Sequence, residues 1–213
     1  MQYRAVIFDL DGTLLNTLDD LYLSVNYALE HYKYPLRTKE EVKNFVGNGI
    51  RDLMTKACPK GIDNFEECLG LFKEHYSRHS RDNTMPYEGV VDLLEQLNQS
   101  GIKCAIVSNK FDGAVKELAE KYFKGLIAVA VGESPDVNKK PAPDSIFAVL
   151  KTLGLKSGDA IFVGDSDTDV LTAKNAGMKC ISVLWGFRSK EFLIKNGATA
   201  FVEKPLEILE HIK

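Results

Sequence analysis

The chain has 213 residues, 45% hydrophobic and 27% charged, enough apolar material for one large domain or for a domain carrying an insertion. Its formal net charge of -3 lacks the basic excess of an electrostatic nucleic-acid binder. No apolar stretch approaches the length of a membrane-spanning helix, and the chain opens on an apolar strand rather than a charged leader, so a cytoplasmic protein is expected.

Ala5-Val6-Ile7-Phe8 reads as a buried strand that delivers Asp9 and Asp11 to its exposed end, with Gly12 as the turn residue. From about 17 to 84 no β-run is found. Leu18, Leu21, Val25, Ala28 and Leu29 recur at helical spacing behind Thr17 as an N-cap. Thr38-Lys39-Glu40-Glu41 is a capping box, and Phe65, Leu69 and Phe72 form the apolar stripe of a later helix. Residues 17–82 are therefore expected to form a helical domain inserted into a core made of residues 1–16 and 83–213. Asp82 to Pro86 would be the return linker.

Beyond residue 86 helix and strand alternate. A helix over Gly89 to Gln99 stops at Ser100-Gly101, and Lys103 to Val107 is a strand. A helix over Asp112 to Lys121, a strand over Ile127 to Val131 and a helix over Asp144 to Leu153 follow. Ala160-Ile161-Phe162-Val163 is a strand ending in Gly164-Asp165, and a helix covers about Asp167 to Ala176. Cys180 to Leu184 is the next strand, Thr199 to Val202 a short edge strand, and the last helix begins near Pro205. The pattern predicts an α/β fold: a Rossmann-like parallel-sheet core with helices on both faces, right-handed crossovers and an all-helical insert.

Cys58, Cys68, Cys104 and Cys180 contain no C-x-x-C pair, so buried thiols are expected rather than a zinc or dithiol site. His75 and His79 lie four apart on a helix, but no glutamate of a zinc-protease motif lies between them, and a plain surface helix is the better reading.

The acidic clusters carry the functional signal. Adjacent carboxylates such as Asp9 and Asp11 repel, so a metal, a lysine or both are expected beside them. In an open parallel sheet, ligands bind beyond the carboxyl ends of the strands. If the two acid-ended strands are neighbours, Asp9, Asp11 and Asp165 converge, a donor set that suits magnesium and phosphate chemistry. Either cluster alone fits an Asp-rich turn or a helix cap as well. Ser108-Asn109-Lys110 offers a hydroxyl and amides at a helix entrance, suited to a phosphate oxygen, and Lys140 precedes a proline-bounded helix start. Taken singly, these residues also read as a helix cap and a solvated surface.

Together the segments Asp9-Leu10-Asp11-Gly12-Thr13-Leu14, Ser108-Asn109, Lys140-Pro141 and Gly164-Asp165-Ser166 with Asp169 resemble the haloacid dehalogenase superfamily of phosphotransferases. The resemblance spans nearly the whole chain, including the place of the helical insert. It implies Asp9 as the nucleophile that forms an aspartyl-phosphate and Asp11 as general acid and base. It implies Mg²⁺ held by Asp9, the Asp11 carbonyl and Asp165, braced by Asp169. Ser108 and the Asn109 amide would bind phosphoryl oxygens, and Lys140 would neutralise charge on the nucleophile and phosphate.

Thr13 after Asp-Gly follows the phosphatase branch, where related sugar mutases carry an aliphatic residue, and it is counted with the substrate-binding residues. Hydrolysis of a small phosphorylated metabolite is thus expected. A phosphosugar mutase of the β-phosphoglucomutase type, a pyrophosphatase or nucleotidase, and a non-catalytic binder are the alternatives. Phe45-Val46-Gly47-Asn48-Gly49-Ile50-Arg51 resembles the cap loop of phosphoglycolate phosphatases and makes Gly47, Asn48 and Arg51 candidate substrate contacts, Arg51 for a carboxylate. A tight inter-helix turn with Arg51 exposed fits equally. Trp185-Gly186-Phe187-Arg188 also follows that subgroup, although Arg188 reads best as a surface arginine. Neither nucleic acid nor a membrane is an expected partner, and monomer and homodimer both remain open.

Overall fold

The structure, a computed structural model, describes residues 3–135 and 137–212. Its first strand, β1 (Ala5–Phe8), is buried throughout. Val6 and Phe8 join one apolar layer and Ala5 and Ile7 the other, as the two-residue strand period requires. A strand buried on both faces needs helices above and below it.

From β1 the chain passes to β2 (Leu15–Asn16), and then through α1 (Leu18–His31), α2 (Lys39–Phe45), α3 (Ile50–Ala57) and α4 (Phe65–His79). It returns at β3 (Met85–Pro86), which pairs antiparallel with β2. The chain then alternates: α5 (Val90–Gln99), β4 (Lys103–Phe111), α6 (Asp112–Phe123), β5 (Val129–Glu133), α7 (Asp144–Leu153), β6 (Ala160–Gly164), α8 (Asp167–Asn175), β7 (Cys180–Val183), α9 (Lys190–Lys195) and β8 (Phe201–Val202). A 3-10 helix over Pro205–His211 closes the described chain.

The main sheet has the order β5-β4-β1-β6-β7-β8, with every neighbouring pair parallel. This doubly wound order reverses beside β1, which opens a crevice at the carboxyl ends of β1 and β6. Layers of α5 and α6 on one face and α7 and α8 on the other complete the core.

The helical segment has an apolar centre of its own. Leu21, Val25 and Leu29 of α1 meet Val42, Leu53 and Met54, and Leu69 and Phe72 of α4. Phe187, from the segment after β7, joins the same cluster.

Several local details differ from the sequence reading. β4 continues through Phe111 past a register shift, so Ser108, Asn109 and Lys110 lie in the strand's carboxyl end, not at a helix entrance. The last helix is 3-10 rather than α, and β8 contains only Phe201 and Val202. Thr38 makes its capping box with Glu41, but Thr17 caps nothing, and its buried hydroxyl finds no partner. Its backbone, at φ -105 and ψ 3, lacks the extended conformation that aims a capping oxygen at the first turn.

What ties the two crossing segments together is Asp20, only 1% exposed near the start of α1. It accepts hydrogen bonds from Asn83 N and Nδ2 and from Thr84 N and Oγ1, at 2.7–3.2 Å. Asp20→Ala would strand buried donors on the return segment and is expected to cost about 3 kcal/mol. Denaturant unfolding measures this, and a loss below about 0.5 kcal/mol would remove the clamp from the account.

Candidate active site

Adjacent central strands end at the site. Asp9 leaves β1, Asp165 leaves β6, and Asp169 lies in the first turn of α8. Lys140 reaches them from the segment between β5 and α7. Its Nζ lies 2.8 Å from Asp9 Oδ1 and 2.7 Å from Asp169 Oδ1. Asp9 Oδ1 also accepts from Leu10 N at 2.7 Å. Asp169 Oδ2 accepts from Ser166 N and Oγ, an arrangement that caps α8 at the same time. Asp165 takes Phe187 N at 2.7 Å and the Thr13 hydroxyl at 3.3 Å.

Close packing explains the glycine in the first motif. Gly12 has φ +87, and a Cβ there would collide with the Asp165 carboxylate.

The donor set fits a hard divalent cation. Carboxylate oxygens of Asp9, Asp165 and Asp169 all lie within 4.8 Å of one another, and all three residues are buried. Lys140 alone cannot balance three negative charges. Burial, reinforced by the charge of Asp169, pushes Asp9 up to about 7, although Lys140 pulls it down. Burial, with Asp169 and Asp9, pushes Asp165 up to about 8. Burial disfavours the Lys140 ammonium, but Asp169 and Asp9 outweigh it and hold the group above its ordinary value. Oxygen ligands whose charge a single ammonium leaves unbalanced are what magnesium-type ions require.

A cleft opens onto this cluster. Asp9, Asp11, Ser108 and Lys110 line its floor, and Val46, Gly47, Ile50 and Phe187 are among the residues of its walls. Ser108 is 6% exposed, and its oxygen accepts from Lys110 N at 3.3 Å. The Asn109 side chain is fully engaged elsewhere. Its Nδ2 donates to Gly47 O and Lys140 O, both at 3.0 Å, and its Oδ1 accepts from Lys140 N at 2.8 Å.

The remaining candidates divide. Gly47 lines the cleft. Asn48 does not: its Oδ1 accepts from Thr168 Oγ1 and its carbonyl from Lys139 Nζ, so it fastens the loop to the core. The Thr13 hydroxyl is spent on Asp165, away from the lining. Arg51 points outward, with 60% of its side chain exposed, in a two-pronged pair with Glu66 at 2.7 and 2.8 Å. At the second position of α3 it lies on the solvent face, while Ile50 and Leu53 face the cleft.

Arg188 corrects the opposite expectation. It lines the cleft and donates to the carbonyls of Lys43, Asn44 and Val46 at 2.6–3.4 Å, at the C-terminal end of α2 where a cation is favoured. Lys110 and Tyr76 were also missed. Lys110 closes the Ser108-Asn109-Lys110 segment, and its place in that motif was the available signal. Tyr76 lies in the stretch read as a plain solvated surface helix, yet it is buried and continues the apolar stripe of Leu69 and Phe72.

A doubly wound sheet with an acidic cluster at its switch point is the arrangement of α/β enzymes that bind their ligands beyond the strand ends. Residues 6–183 match the model of the haloacid dehalogenase-like hydrolases, and the chain belongs to that family. It is 33% identical over 218 residues to Phosphoglycolate phosphatase 1 of Pseudomonas aeruginosa, covering 97% of this chain and 78% of that protein. Identity to the phosphoglycolate phosphatase of Aquifex aeolicus is also 33%, covering 86% of each chain. A solved structure from Lactobacillus delbrueckii subsp. bulgaricus, provisionally named a phosphoglycolate phosphatase, superposes with a TM-score of 0.95 at 36% identity, covering 100% of this chain and 99% of that one.

The raised carboxyl groups set a pH dependence. Folded Asp9 and Asp165 retain protons that the unfolded chain has released, so stability falls with rising pH. In EDTA, thermal stability is expected to decline between about 4, the ordinary carboxylate value, and about 8, more shallowly in Asp165→Asn. Equal slopes for the two proteins would place the pH dependence elsewhere.

Proposed function

We propose that this chain is a phosphatase that hydrolyses small phosphate monoesters with the help of Mg²⁺, and that 2-phosphoglycolate is its substrate. The observation that carries the reading is the buried Asp9 carboxylate, held by Lys140 within a cluster of three acids, with Asp11 on the floor of the same cleft. The names of the relatives support the choice of substrate.

In the proposed reaction an Asp9 oxygen attacks phosphorus, and the bond from phosphorus to the ester oxygen breaks. The departing alkoxide takes a proton from Asp11. Water then attacks the aspartyl-phosphate and gives its proton to Asp11. Breaking the Asp9–phosphorus bond releases phosphate and restores the carboxylate. Lys140 offsets charge on Asp9 and the phosphoryl group, and Ser108 donates to a phosphoryl oxygen. When bound, magnesium supplies charge that offsets the repulsion between a carboxylate and a phosphate dianion, and Asp9, Asp165, Asp169 and the Asp11 carbonyl would hold it. Residues 17–82 act as a cap that keeps water from the cleft.

The test is phosphate release from phosphoglycolate, hexose phosphates, nucleoside monophosphates and pyrophosphate, with Mg²⁺ or EDTA. Wild-type protein is expected to release phosphate only with the metal, fastest from phosphoglycolate. Asp9→Asn should lose about a thousandfold or more in kcat while remaining folded. Silence toward every compound would overturn the reading, and a hexose phosphate changed only in the position of its phosphate would replace it with a mutase. Arg51→Ala should leave kcat and KM within about twofold, because an exposed ion pair contributes little. A large rise in KM would return Arg51 to the substrate site.

A further inference from the structure

Asp11 is held apart from the Lys140 cluster. Both of its carboxylate oxygens accept from Lys110 Nζ, at 3.0 and 3.2 Å. The same ammonium donates to Tyr76 Oη at 2.6 Å and lies 4.8 Å from the centre of the tyrosine ring. Lys110 is 5% exposed and Tyr76 7%, so water competes little for these bonds. An ammonium has three donors, and two Asp11 oxygens with one phenol account for them. Burial alone would weaken the Lys110 charge, but Asp11 and Tyr76 outweigh it.

The chain positions of these residues give the contact its meaning. Asp11 follows β1 and Lys110 is the next-to-last residue of β4, both in the sheet core, whereas Tyr76 lies on α4 of the inserted helices. Tyr76 also stacks on Phe72, 5.5 Å between ring centres, which roots it in the helical segment's own apolar cluster. The orientation of Asp11 therefore depends on a residue that travels with the insert.

We propose that Lys110 and Tyr76 are positioning residues for proton transfer. Lys110 fixes the Asp11 carboxylate, and Tyr76 fixes Lys110 when α4 sits on the core. Docking of the helical segment thereby completes the proton-transfer group as well as covering the cleft. The proposal rests on the phosphatase reading for the role of Asp11.

Two substitutions isolate the tether. Tyr76→Phe keeps the ring and removes the hydroxyl, and Lys110→Met keeps the chain length and removes the ammonium. Measured with the best phosphate ester of wild-type protein, kcat should fall about tenfold and about a hundredfold respectively, with KM within about threefold. In an Asp11→Asn background the same changes should cost less than about twofold, because the group they act through is gone. Equal losses in both backgrounds would overturn the proposal, since a general loosening of the fold would be additive. So would a Tyr76→Phe protein whose kcat stays within about twofold of wild type. Melting curves accompany each variant, and if Lys110→Met does not fold, Tyr76→Phe decides alone. Failure of the phosphatase reading is separate, since it would show as an inactive wild-type protein.

Discussion

One ammonium group, that of Lys140, stands between the carboxylates of Asp9 and Asp169, and much of the surrounding structure serves to keep it there. A lysine buried at 3% exposure tends to lose its charge unless partners hold it. Here the partners come from β1 and from the first turn of α8, while the lysine itself comes from a connecting segment. That segment is pinned by Asn109, which bonds both the N–H and the carbonyl of Lys140. The Asn109 side chain is thus committed to aiming that cation.

Rigidity is distributed accordingly. The acids sit at the ends of central strands or in the first turn of a helix, where backbone hydrogen bonds fix their Cα positions. The groups that must come from loops are fastened individually. Arg188 holds the end of α2, Thr168 and Lys139 hold Asn48, and Asn109 holds Gly47. Polar bonds across the boundary between core and helical segment are more easily exchanged with water than an apolar seam, of which Phe187 supplies a small part.

The sheet, the helices between β2 and β3 and the acids just past β1 and β6 follow local patterns in the sequence: apolar runs of strand length, helical periodicity, and carboxylates at strand ends. Asp169 and Lys140 were reached only through the family resemblance. What escaped depended on distant geometry. Whether Arg51 or Arg188 meets the cleft is set by the rotation of α3 and by the course of the chain after β7, and neither leaves a periodic trace. Tyr76 is indistinguishable by spacing from its apolar neighbours, and only the fold brings its hydroxyl to Lys110. The misreading of Thr17 has a different origin. Its residue type was right for a cap, but its backbone conformation was fixed by the crossing from β2 into α1.

The short ribbon formed by β2 and β3 has an architectural consequence. Leu15 faces Pro86 and Asn16 faces Met85, so the chain leaves the sheet core and rejoins it at neighbouring points. The core therefore closes over the departure as it would over a tight hairpin, whatever length of chain lies beyond. In such a scaffold the excursion is modular. Its size and shape can be rewritten without rerouting a single strand of the main sheet.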